Sequence, residues 1–398
     1  MTEFAGKRLV VGITGGIAAY KSAELVRLLI KAGAQVDVVM TRSATEFVGA
    51  MTFEALSGRP VLTDLGQSTG ALRAMAHISV TRGADAILVA PATADFLSKL
   101  AHGAADDLLS TLCLARDCPL LLAPAMNRQM WHQSPTRRNV QQLLADGIHM
   151  LGPDSGEQAC GEVGEGRMWE PALIVEALAA FFQPKLMAGR RVLLTAGPTF
   201  EAIDPVRGLT NRSSGKMGFA LARACAEAGA DVTLVAGLVS LPTPLSVTRV
   251  DVDSALDMRS AVLERIKGQD VFIGVAAVAD FRPAQLMAHK IKKGDGVPVI
   301  ELAPNPDILA EVASLPHAPF CVGFAAESRD LVSYAESKRA AKKLKLVVGN
   351  LVQDGLGGDS NQVILFDANG AHTLPTGPKL TLARAIVAHI SGLMQERA

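Results

Sequence analysis

A cysteine in a glycine-dense loop is the residue best placed to do chemistry in this sequence. Cys160 lies in GEQACGEVGEGRM (156–168), where the charges are mainly acidic: Glu157, Glu162 and Glu165. Nothing in that stretch would stabilise a thiolate, and an ordinary cysteine thiol has a pKa of about 8.5. Cys160 is therefore expected to stay a thiol, a better acid than nucleophile. The competing reading is a buried structural cysteine, though such cysteines rarely sit among so many glycines. Asn127, in PAMNRQMW (124–131), is the second candidate, because its amide can both donate and accept, as a carboxylate or peptide ligand requires. The turn GITGGIAA (12–19) offers backbone N–H groups at a helix start, which suits a phosphate or a flat ring. It is not a clean G-x-G-x-x-G, so alone it reads equally as a tight strand-to-helix turn.

The second half offers different chemistry. TAGPTFEAIDPVRGLTNRSSGKMG (195–218) is a long loop between strand and helix, and Ser213, Ser214 and Gly215 open that helix, where an anion could sit. No G-x-x-x-x-G-K-[ST] is present, so this is not a Walker P-loop. Asp280 follows a fully apolar strand in AAVADFRP (276–283), and Lys290, Lys292 and Lys293 come next. Lys338 and Lys342, at i and i+4, share one helix face. Lysine clusters are usually solvated faces, but converging lysines can hold a triphosphate and stabilise the charge that moves during nucleotidyl transfer.

These residues need a scaffold, and the sequence writes one twice. Residues 7–40 and 190–237 each run from a basic residue through an apolar strand, a Gly-rich turn and an amphipathic helix. Each helix ends at an Ala-Gly-Ala cap (Gly33, Gly229), and a second apolar strand follows. Each is a β-α-β unit. Further buried strands are expected over 86–90, 120–123, 271–276, 321–324 and 346–348, a hairpin over 362–366 and 371–374, and a closing helix over 380–394. Strands alternating with helices predict α/β architecture: two Rossmann-like, doubly wound domains, parallel-stranded with helices on both faces. The join is expected near 182–189, giving domains 1–182 and 189–398.

Ligands of such sheets bind beyond the carboxyl ends of the strands. In the first half that rule gathers Gly15, Gly16, Ile17 and Ala18 with Thr41, Arg42 and Ser43 on one rim. Pro91, Ala92, Thr93 and Ala94 join them, as do Pro124, Ala125, Met126 and Asn127. A dinucleotide enzyme usually places Asp or Glu after the second strand for the ribose diol. Here Thr41, Arg42 and Ser43 follow Met40 instead, hydroxyls and a cation that suit a mononucleotide phosphate, which favours FMN over NAD.

Composition narrows the partners. Thirty-nine basic against 39 acidic residues leave no net charge in a chain of 398, so nothing electrostatic suggests a nucleic-acid or membrane partner. No apolar run approaches the ~18 residues of a membrane helix, and the start of the chain does not read as a signal peptide. Five cysteines without a C-x-x-C pair argue against a disulfide framework or zinc site. The chain reads as cytoplasmic.

At these residues the first half resembles the flavin-dependent cysteine decarboxylases. The resemblance runs through GITGGIAAYK, His77-Ile78-Ser79, APATADFLSKLAHGAADDLLS, PAMNxxMW and ACGEVGEGRM. It implies an active-site His77, a substrate carboxylate on Asn127 beside Met126, and a proton donated by Cys160. FMN would oxidise the cysteinyl thiol to a thioaldehyde, CO₂ would leave, and Cys160 would protonate the enethiolate as the electrons return. Residues 190–390 resemble the phosphopantothenate–cysteine ligases through TAGPT, IDPVR, TNRSSGKMG, AVADFRP, KIKK, NPDIL, VGFAAE and SKRAAKK. That resemblance implies activation of 4′-phosphopantothenate by CTP and Mg²⁺ as an acyl-cytidylate, from which the amine of cysteine displaces CMP. Lys290 would assist cytidylate formation and Asn211 the step after it. The CTP site would comprise Gly274, Val275, Ala276, Asp280, Lys290, Pro306, Asp307, Ile308, Leu309, Phe324, Lys338 and Lys342, with Asp280 also the candidate Mg²⁺ ligand.

Together the halves resemble the bifunctional coenzyme A biosynthesis family, a homo-oligomer in which flavin sites are completed across subunits of a trimer. Three departures stand out: Phe200 replaces an arginine after TAGPT, Gly208 stands where a larger residue is common, and Leu351 replaces an Asn-Asp strand end. A nicotinamide oxidoreductase and a non-catalytic flavin-binding regulatory subunit remain the rival readings.

Overall fold

The reason the glycine turns occur twice is visible in a computed structural model, which describes residues 3–63, 80–292, 299–327, 329–351 and 358–395. The chain forms two units, Met1–Phe181 and Phe182–Ala398, each with its own sheet.

In the first unit β1 (Arg8–Ile13), β2 (Gln35–Met40), β3 (Ala86–Ala92), β4 (Leu120–Pro124) and β5 (His149–Met150) are all parallel, in the order β2-β1-β3-β4-β5. This is the flavodoxin-like order, whose direction of winding reverses between β1 and β3. Every residue of β3 and β4 is buried, as strands covered on both faces require. The helix Ala19–Lys31 joins β1 to β2, and Gly33 ends it at φ +96°, a left-handed conformation that a side chain would strain. An antiparallel pair, β6 (Asp154–Glu157) and β7 (Val163–Arg167), carries Cys160 in its connecting turn.

The second unit begins with β8 (Arg191–Ala196) and a small antiparallel pair, β9 (Phe200–Ala202) and β10 (Gly208–Thr210). Then come β11 (Asp231–Ala236), β12 (Val247–Asp251), β13 (Val271–Gly274) and a second antiparallel pair, β14 (Phe281–Pro283) and β15 (Leu302–Pro304). After β16 (Phe320–Glu327) and β17 (Leu346–Leu351) the chain adds β18 (Ser360–Asn361), β19 (Ile364–Asp367), β20 (Gly370–Thr373) and β21 (Gly377–Pro378). The main sheet runs β12-β11-β8-β13-β16-β17-β19-β20, parallel until the last two strands. Its six parallel strands, counted along the chain, stand in the Rossmann order 3-2-1-4-5-6, which reverses between β8 and β13.

Two expected boundaries move for identifiable reasons. The strand expected to reach residue 276 stops at Gly274, because the N–H groups of Val275 and Ala276 turn aside to Thr195 Oγ1 at 3.3 and 3.2 Å. The hairpin turn narrows to Ala368 and Asn369, since Asp367 and Gly370 still pair across the ladder. The closing helix spans Lys379–Gln395. Among the described residues no helix is long and apolar enough to cross a membrane.

Candidate active sites

In the first unit, the carboxyl ends of β1, β3 and β4 open on a cavity of about 920 Å³, within the ~300–1,000 Å³ of small-molecule sites. Gly15, Gly16, Ile17 and Ala18 form one wall, at the start of a helix that no side chain caps. Ala19 N and Lys21 N donate within the turn to Gly16 O and Ala18 O at 2.9 and 3.0 Å, and the positive end of the helix dipole there favours an anion. A Cβ on Gly15 would lie 2.5 Å from Ser43 Cβ, so only glycine lets the turn pass this close. Ser43 and Thr93 supply hydroxyls to the lining. Thr41 stands behind Ser43, 3.1 Å away between hydroxyls, and caps the following turn by accepting from Ala44 N. Thr14 Oγ1 donates to Pro91 O at 2.8 Å and accepts from Thr93 N at 3.1 Å, holding two rim loops together. Ala94 lines the cavity, whereas Ala92 is buried in the core, and its carbonyl accepts Ala125 N at 3.0 Å. Glycines, hydroxyls, an uncapped helix start and no acid after β2 are a donor set that fits a flavin mononucleotide.

Asn127 and Cys160 meet across this cavity. Asn127 Nδ2 donates to Glu162 Oε2 at 2.7 Å and lies 3.5 Å from Cys160 Sγ, while its Oδ1 accepts Gln129 N at 2.8 Å. Gln158 braces the same loop by accepting Arg128 N at 3.0 Å. Met126 lines the cavity, and Met126 N donates to Gly166 O at 2.9 Å, which lays β7 against the Asn127 loop. Gly166 has φ +128°, and a Cβ there would collide with the carbonyl of Met126. Cys160 is exposed, with its thiol 3.9 Å from Glu162 Oε2. Hydrogen bonding by Asn127 holds the Glu162 carboxyl below its usual range. His77 lies outside the described residues.

Sequence reasoning overlooked Glu162 as the partner of both residues, and Lys21, which lines the cavity and pairs with Glu170 at 2.8 Å. Glu162 sits only two residues past Cys160, and that spacing was the available signal. Lys21 closes the quoted GITGGIAAYK motif, but nothing in that pattern pointed to its pairing with Glu170.

In the second unit the corresponding rim lies beyond β8, β13 and β16. Gly274 ends β13, with Val275 and Ala276 directly after it, and Gly274 faces the buried side chain of Leu309. Asp280 is exposed, its carbonyl accepting Asn305 N at 2.8 Å. The turn through Pro306 leads to Asp307, which caps the helix Ile308–Ala313 and meets Lys342 Nζ at 2.5 Å. Ile308 is buried with Leu309. Lys338 Nζ donates to Phe324 O at 2.6 Å. Burial and the neighbouring Lys342 lower the pKa of Lys338, despite the opposing charges of Asp307, Glu327 and Asp280. Two lysines and two acids therefore share the rim with Phe324. Mg²⁺ usually takes one or two carboxylates plus substrate phosphates, so Asp280 fits an ion that arrives on a nucleotide.

Asn211 reaches this rim, and Lys290 lies on a segment tied to the connection between β9 and β10. Asn211, directly after β10, donates from Nδ2 to Ala277 O at 2.9 Å. Lys290 is exposed, and its neighbour Ile291 is tied at both backbone atoms: N–H to Asp204 Oδ2 at 3.2 Å, and carbonyl from Arg207 Nη2 at 2.8 Å.

The sheets and rims define a two-unit α/β flavoprotein enzyme. Residues 2–183 match the family model described as Flavoprotein, and residues 187–394 match the DNA/pantothenate metabolism flavoprotein C-terminal domain. The coenzyme A biosynthesis bifunctional protein CoaBC of Vibrio cholerae is 50% identical over 393 residues, covering 97% of this chain and 98% of its own. Those of Haemophilus influenzae (50% over 389 residues, 97% of each chain) and Escherichia coli K12 (46% over 397 residues, 98% and 97%) are similar throughout. The chain belongs to the coenzyme A biosynthesis bifunctional protein family, and is a bifunctional enzyme of that biosynthesis. Neither rival reading is favoured.

Proposed function

We propose that residues 1–182 decarboxylate 4′-phosphopantothenoylcysteine with FMN, and that residues 189–398 make it from 4′-phosphopantothenate, cysteine and CTP with Mg²⁺. The observation that carries this reading is the meeting of Asn127 and Cys160 at a cavity walled by the Gly15–Gly16 turn. Bound FMN supplies a two-electron acceptor and donor, which decarboxylation at an unactivated carbon needs. The chain supplies the rest. Asn127 Nδ2 already grips a carboxylate, that of Glu162, and a substrate carboxylate would take the same place. Cys160 then holds its thiol proton beside the carbon that loses CO₂. His77 completes the set by family resemblance.

In the second half, the carboxylate of 4′-phosphopantothenate attacks the α-phosphorus of CTP and pyrophosphate leaves. Lys338 and Lys342 bind the nucleotide, with Asp280 on its Mg²⁺, and Lys290 stabilises the charge of this step. The amine of cysteine then displaces CMP at a centre positioned by Asn211. The enzyme works as a cytoplasmic homo-oligomer on these small molecules.

The test is incubation with 4′-phosphopantothenate, cysteine, CTP and Mg²⁺, following CMP, pyrophosphate and CO₂. All three should appear, with CO₂ depending on prior CMP release. CO₂ release from supplied cysteine conjugate by residues 189–398 alone would overturn the division of labour.

A further inference from the structure

At the end of the second sheet remote from its rim, three metal-ligating side chains from three elements converge. Asp367 closes β19, His372 lies on β20 and His389 on the helix Lys379–Gln395. β19 runs antiparallel to β17 and pairs Phe366 with Val347, so Asp367 sits beside the start of the parallel strands. The proposed catalytic residues lie beyond the other ends of those strands. Asp367 is 3% exposed, and its carboxylate pairs with no lysine or arginine among the described residues. Among the described residues it meets the two imidazoles, His389 Nε2 at Oδ2 (2.7 Å) and His372 Nε2 at Oδ1 (3.3 Å), and the N–H of Asn369 at 2.7 Å.

We propose that Asp367, His372 and His389 form a binding site for a divalent transition metal of the zinc class. Among the described residues no other three such groups come together, and the three ligating atoms lie within 4.8 Å of one another. Bonds of ~2.0–2.2 Å in a tetrahedral shell place ligand atoms about 3.3 Å apart, the scale of the two carboxylate–imidazole distances. Two imidazoles and one carboxylate suit zinc and its neighbours rather than magnesium or calcium, which prefer oxygen. The His372 side chain is 42% exposed and can close on the ion, while the buried Asp367 and the helix-borne His389 fix its position. The role is structural: the ion pins the β19–β20 hairpin to the closing helix. Because the site lies away from the rim, both activities proceed without it.

The test uses the full chain stripped with chelator and titrated with Zn²⁺ alone, then with Co²⁺ as a spectroscopic probe. One equivalent should bind, the melting temperature should rise, and Co²⁺ should show the absorption of a low-coordinate nitrogen–oxygen site. His372→Gln and His389→Gln should each lower affinity by more than the ~10–100-fold that loss of an outer-shell partner costs. His372→Gln alters a half-exposed side chain and should leave the fold and both activities intact. Absence of stoichiometric binding by the wild-type chain, or undiminished binding by either variant, overturns the proposal.

Discussion

The ring of Phe200 occupies the space where a side chain at residue 208 would begin. β9 and β10 lie antiparallel, and a Cβ on Gly208 would come 2.7 Å from both Cε atoms of Phe200. The two departures from the ligase pattern, an aromatic after TAGPT and a glycine in place of a larger residue, are thus one substitution made in two parts. The aromatic ring fills the volume that the glycine vacates.

Gly208→Ala should therefore destabilise the second unit by overpacking, at about 1–3 kcal/mol. Phe200→Ala in the same chain should relieve most of that loss, because the clash needs both groups. Denaturant melts of the two single variants and the double variant give the coupling directly. Additive losses would show that the ring moves aside freely.

Asp204 is the anchor of the segment that carries Lys290. Its buried carboxylate takes Arg207 at 2.5 Å and the N–H groups of Val206, Arg207 and Ile291 at 2.8, 2.9 and 3.2 Å. Arg207 holds the carboxyl well below its usual range, against the effect of burial. A carboxyl depressed on folding stabilises the fold above its unfolded pKa, ~3.9, and that contribution fades as pH falls below it. Asp204→Asn should thus melt lower than wild type at neutral pH, with the gap narrowing below about pH 4. Cytidylate formation should fall while decarboxylation of supplied substrate continues. An equal gap at pH 7 and pH 3 would remove charge from the explanation.

Lys338 makes a prediction in the opposite pH range. Burial and Lys342 lower its pKa, so it loses its charge at a lower pH than an ordinary lysine, whose value is near ~10.4. A nucleotide triphosphate needs that charge, so CTP affinity should begin to fall on the alkaline side before an ordinary lysine titrates. Lys338→Arg keeps a cation throughout, and should flatten the alkaline limb even if it binds more weakly at neutrality. Calorimetric CTP titrations between pH 7 and 10 would reveal it. Parallel limbs in the two proteins would assign the loss to another group.

How much of this was legible in the sequence depended on distance along the chain. The strands announced themselves because a parallel sheet covered on both faces demands apolar runs, and β3 and β4 are buried throughout. The two glycine caps were legible because Gly33 and Gly229 adopt a conformation that side chains resist. Side-chain partnerships were not. Glu162 was read as one charge of an acidic loop, although it is the group that Asn127 holds from 35 residues away. Asp204 reaches Ile291 across 87 residues, and no periodicity encodes such a contact. Turn boundaries moved for the same reason: Thr195 takes two N–H groups from the strand expected to continue through Ala276.

Cys160 gives the most discriminating prediction. Its thiol is exposed on the connection between β6 and β7, so substitution there should cost little stability, and any large effect must come from chemistry. Cys160→Ser nearly preserves shape but replaces a moderately acidic thiol with a much weaker hydroxyl acid. Asn127, 3.5 Å away, keeps Glu162 and Gln129 as partners in the variant, so carboxylate recognition should survive. Proton donation should not. Loss of a general acid typically costs about 10²–10⁴-fold in rate, and here the loss falls after CO₂ has departed. The variant should still bind flavin and release CO₂ in a single turnover, yet accumulate an enethiol product two hydrogens lighter than the normal thiol. Mass spectrometry of the quenched mixture separates the two species. Normal saturated product formed at the wild-type rate would leave Cys160 with no part in the proton transfer.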